Sequence, residues 1–86
     1  MLDFRGYAIP ERMYGGITRY VKQRIPTGSF LEAILSNDLK EAVGRADQEN
    51  RDLIVEYVKF MYNQVPAACW GSKENYEQWI KGGAKD

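Results

Sequence analysis

Arg12 and Arg19 flank a pair of adjacent glycines, Gly15 and Gly16, in the stretch PERMYGGITRYVKQRIPTGSF. Guanidinium groups bind phosphate or carboxylate in bidentate fashion, and glycine lets a ligand approach the backbone closely. Two glycines cost a helix about 2 kcal/mol against alanine, so their place between arginines asks for a reason. On a wheel of about 100° per residue, Gly15, Gly16 and Arg19 fall within about 60° of Arg12. Met13, Ile17, Tyr20 and Val21 fall toward the other side, facing a core. The spacing therefore fits an anion site, with Tyr14 on its flank as a stacking ring. It fits a helix crossing or a helix break at the glycines equally well.

Two further stretches carry the same chemistry. In RIPTGSF, Thr27 and Ser29 stand at a predicted helix start, where hydroxyls and free backbone N–H groups suit an anion. The GxxxxGK[ST] phosphate loop is missing. In PAACWGSKENYEQW, Trp70 precedes Gly71 and Ser72, the cap of a predicted last helix. A tryptophan there could stack on a base, or close the core with Trp79 as its partner.

The elements that must position these groups are helical. Residues 1–9 read as a short extended arm in which Leu2, Phe4 and Ile9 can pack. Pro10 suits a helix start, and the helix that follows stops at Ile25–Pro26, because the residue before a proline is pushed out of the helical region. Thr27 would cap a second helix, 28–36, with Phe30, Leu31, Ile34 and Leu35 inward. Asn37 would cap a third, ending at Ala46, with Leu39, Ala42 and Val43 as its apolar side and a Glu41–Arg45 pair on its surface. Asp47 would cap the longest helix, 48–64, where Ile54, Tyr57, Val58, Met61 and Val65 recur at helical spacing. Ser72 would cap the last, 73–81, closed by Gly82–Gly83. The expectation is one all-α domain, residues 1–86, of about five helices with an N-terminal arm.

Composition removes several classes of chemistry. The chain has 86 residues, no histidine and one cysteine. Zinc-type sites and every Cys–His or Ser–His catalytic arrangement are therefore excluded within one chain. Cys69 reads as a small buried hydrophobe, consistent with a reducing compartment. No catalytic residue, metal ligand or cofactor is expected, and neither is a membrane span or a signal peptide.

The formal net charge is zero but unevenly spread: residues 1–28 carry +3, residues 29–56 carry −4 and residues 57–86 carry +1. The neutral total lacks the field of a nonspecific DNA binder. A helix-turn-helix over 28–46 would bring Asp38 and Glu41 toward phosphates, so nucleic acid is not the expected partner. The basic first third and acidic middle could pair across a symmetric interface, and a small core favours a homo-oligomer. The acidic run from Asp47 to Glu56 reads as a solvated helix face.

The segments GGITRY, PTGSFL, NDL, RAD and CWGS, in this order over nearly the whole chain, resemble a group of short proteins of tailed phages and prophages. The resemblance implies a phage origin and expression in the cytoplasm of a bacterial host, and it carries no catalytic residue. By analogy of class, small phage proteins of this kind bind: some sequester the cyclic nucleotide signals of bacterial defence. The expected ligand is thus a small phosphorylated, cyclic nucleotide held without hydrolysis by Arg12, Tyr14, Gly15, Gly16, Arg19, Thr27, Ser29, Trp70 and Ser72. The alternative is an inhibitor that docks on a host defence or replication protein through the arginine–glycine face or the acidic face.

Overall fold

The computed structural model describes residues 2–82, and among these it contains helices and no strand. A single 3-10 turn, Glu11–Met13, leads into α1 (Tyr14–Gln23). There follow α2 (Ser29–Leu35), α3 (Leu39–Arg45), α4 (Gln48–Asp52), α5 (Ile54–Gln64), a second 3-10 turn at Ala67–Cys69, and α6 (Lys73–Gly82). The all-α architecture expected from the apolar spacing is present. Gly83, which the sequence places at the closing of the last helix, lies outside the described residues.

The helix limits show where local chemistry prevails over pattern. Helix α1 ends before the proline predicts: Arg24 adopts the left-handed conformation (φ 60°) and its N–H bonds the Tyr20 carbonyl. Its guanidinium holds it there, lying 3.7 Å above the Trp79 ring and donating to the Trp79 carbonyl at 3.0 Å. Thr27 does not cap α2. Gly28 is the N-cap without a side-chain bond, because Thr27 is drawn sideways to the Tyr76 hydroxyl through its N–H and Oγ1. Asp38, not Asn37, caps α3 by accepting from the Glu41 N–H, while Asn37 takes the left-handed turn before it.

The predicted helix 48–64 is two helices. Asp47 caps α4 as expected, but Leu53 (φ −109°, ψ 12°) leaves the helical region and its N–H closes an i→i+3 bond to Asn50. Asn50 is buried, and its side-chain oxygen accepts from the Tyr57 hydroxyl. The break thus accommodates a buried polar pair that apolar periodicity does not register.

The core gathers Ile17 and Tyr20 of α1, the inner face of α2, Tyr57, Phe60 and Met61 of α5, Cys69 and Tyr76. The N-terminal arm packs on it as anticipated. Phe4 stacks between Tyr14 (centroids 3.9 Å apart) and Phe60 (4.7 Å), and the Ala8 N–H donates to Glu56. Gly71 carries φ 107°, a conformation suited to glycine, and its N–H bonds the Leu35 carbonyl at 2.8 Å. That bond seats the Trp70–Ser72 loop against the end of α2 and sets the start of α6.

Candidate functional site

The arginine–glycine face does not assemble into an open anion site. Arg12 sends one guanidinium nitrogen to Asp47 at 3.0 Å and to Glu49 at 2.9 Å, so the basic first third meets the acidic middle within a single chain. The Asp47 carboxyl is held below its ordinary range, chiefly by the Asn50 N–H it accepts as helix cap and further by Arg12. Two carboxylates at this guanidinium oppose a phosphate arriving there.

The other expected residues are dispersed among different tasks. Tyr14 has one ring face covered by Phe4. A methyl at Gly16 would lie 3.7 Å from Leu31 Cδ1, so this residue faces α2 rather than the arginines. Gly15 is exposed, but Arg19 folds over it, placing a guanidinium nitrogen 2.9 Å from where a β-carbon would stand. Arg19 itself has no carboxylate partner among the described residues. Thr27 is engaged by Tyr76, and Ser72 caps α6 by accepting from the Asn75 N–H at 3.0 Å. Trp70 is half-buried against the core. Trp79, its expected partner, donates instead to the Tyr20 carbonyl at 2.8 Å beneath Arg24.

Cys69 is fully buried, and burial raises its thiol to about 11. It is therefore not available as a thiolate nucleophile near neutral pH. Among the described residues no group of acidic or cysteine side chains is arranged to hold a metal ion.

Two features stand out instead. A cleft of about 300 Å³ opens between α2, α3 and the start of α6, and Ser29 is one of its lining residues. Adjoining it at Ala33 and Asp38, α3 and α5 border a shallow groove of about 40 Å³ lined by Ile34, Leu39, Ala42, Ile54 and Val58. Of the six exposed large hydrophobics among the described residues, only Ile25 lies outside these two helices. Leu39 is 66 % exposed, Val55 68 % and Tyr62 79 %, with Val43 and Val58 partly open beside them. On α5, Val55, Val58 and Tyr62 follow at i, i+3 and i+7, a single stripe.

No protein-family model, curated protein or solved structure matches this chain.

Leu39, Val43 and Val58 were expected inside and are not. Helix α5 carries more apolar side chains than one buried face can take: Ile54, Val55, Tyr57, Val58, Phe60, Met61 and Tyr62 within eleven residues. That surplus is the signal in the sequence for an outward-facing apolar stripe.

Proposed function

We propose that this chain is a non-catalytic binding protein which, in the tailed-phage setting its motifs resemble, acts in the host cytoplasm by covering a bacterial defence or replication protein. One observation carries the reading: five exposed apolar side chains lie on α3 and α5, and two of them, Leu39 and Val58, line a shallow groove. Contiguous apolar surface of this kind is the usual mark of a protein-docking face. The groove, about 40 Å³, has room for a single small apolar side chain from a partner, while the Val55–Val58–Tyr62 stripe offers the wider contact. The absence of histidine and the burial of the single thiol agree with a role in binding.

The face also has a competing occupant, a second copy of the chain. The charge argument for self-association weakens, because Arg12 already meets Asp47 and Glu49 internally. The test is a pair of variants, Val55→Asp and Tyr62→Glu, assayed for activity during infection, for host-protein capture and for molar mass by light scattering. Both positions are exposed, so the melting temperature should stay close to wild type. Loss of activity together with loss of one captured host protein supports the reading. Variants that act like wild type overturn it, and a dimer that dissociates on substitution assigns the face to self-association.

Sequestration of a cyclic nucleotide keeps one supporting observation, the unpaired Arg19 over the bare Gly15 backbone. Arg12 would have to release two carboxylates to join it. Calorimetry with cyclic di- and trinucleotides separates the readings. Binding that Arg19→Ala abolishes would restore the nucleotide, and no binding leaves the protein-docking face.

A further inference from the structure

We infer that the cleft between α2, α3 and α6 is a binding site for a small zwitterion of amino-acid size, adjoining the apolar groove at Ala33 and Asp38 but distinct from the α5 stripe. The cleft measures about 300 Å³, at the lower limit of the ~300–1,000 Å³ usual for small-molecule pockets. That is too small to enclose a cyclic dinucleotide.

Its lining combines both signs of charge. Glu32, Asp38 and Glu41 are acidic, and Arg45 and Lys73 are basic. Some of these groups already have work within the fold. Glu41 pairs with Arg45 at 3.0 Å, and Asp38 caps α3. Glu32 of α2 and Lys73 of α6 remain: they face the same cleft from different helices, and neither has an ion-pair partner among the described residues.

Ser36 is also a lining residue, and its Oγ is shielded from solvent with no hydrogen-bond partner among the described residues. A buried hydroxyl left unpaired is uncommon in folded proteins and calls for a partner. A carboxylate and an ammonium with no ion-pair partner among the described residues thus line one small cavity.

The charges decide the ligand class. Phosphate would meet three carboxylates, and a simple diamine would meet Lys73 and Arg45. A molecule carrying an ammonium and a carboxylate a few bonds apart satisfies both ends. Its ammonium would lie toward Glu32 and its carboxylate toward Lys73.

The experiment titrates the nitrogen-labelled full chain with the free L-amino acids one at a time, with putrescine and inorganic phosphate as controls that carry charge of one sign only. Amide resonances are followed by two-dimensional NMR. At least one amino acid should shift the signals of Ser29, Glu32, Ser36 and Lys73 saturably at millimolar concentration, while the controls should not. Glu32→Gln and Lys73→Met should each weaken that binding roughly tenfold, with a spectrum elsewhere like wild type. Tyr62→Glu should leave it unchanged, which separates this site from the docking face. Absence of saturable shifts with every amino acid, or binding indifferent to both substitutions, overturns the inference.

Discussion

A methyl group at Gly16 would rest in ordinary contact with Leu31, and one at Gly15 would displace only the mobile end of Arg19. Neither glycine is required by the fold, so alanine should stabilise α1 at both places. The expected gain is up to ~1 kcal/mol per site, read as a raised urea midpoint. A lowered midpoint would mean that α1 and α2 approach more closely than this geometry has them. At Tyr57 the expected sign is opposite. Its hydroxyl donates to buried Asn50, and Tyr57→Phe leaves that amide oxygen without its partner. The loss should be about 1–3 kcal/mol in the same denaturation experiment, whereas an unchanged midpoint would show that water replaces the bond.

At the scale of elements, two of four expected caps, Asp47 and Ser72, were legible, while the caps of α2 and α3, the end of α1 and the continuity of 48–64 were not. Asp47 and Ser72 cap as their types and places suggest, because an N-cap needs only a short polar side chain two or three residues from free N–H groups. The Glu41–Arg45 pair follows in the same local way from i,i+4 spacing. Thr27 fails as a cap because of Tyr76, 49 residues distant, which no local rule contains. The division at Leu53 depends likewise on a buried Asn50–Tyr57 bond. For the candidate site the limit was sharper. Residue types on one helix face suggested an anion site, but the partners of Arg12 and Tyr14 come from α4 and from the arm. Ser72→Ala should cost about 1 kcal/mol and loosen α6 first, seen as faster amide exchange near Asn75 and Tyr76 than in α5. Uniform exchange across both helices would mean that α6 does not open on its own.

The whole molecule hangs on a core rich in groups that burial keeps neutral. Burial raises the Cys69 thiol to about 11 and the Tyr57 phenol to about 12, and it raises Tyr20 as well. Each folded value lies above the unfolded one, so the unfolded chain releases these protons first as pH rises. Their contribution to stability is complete below the ordinary thiol value of 9.0 and declines as pH climbs through the folded values. The melting temperature should therefore hold up to about pH 9 and fall steadily toward pH 12, with a gentler fall in Cys69→Ala. A flat profile to pH 12 would mean that these groups ionise as readily in the folded protein as in the unfolded chain. On the surface, the same molecule leaves its apolar excess on α3 and α5 and its arginine face largely engaged from within. The most direct measurement places a photo-crosslinking residue at position 62, and in separate chains at position 19, during infection of the bacterial host. A single host protein joined to position 62 and not to position 19 is the expected result. Crosslinks confined to position 19, or from position 62 only to other copies of the chain, would contradict a host-docking face on α3 and α5.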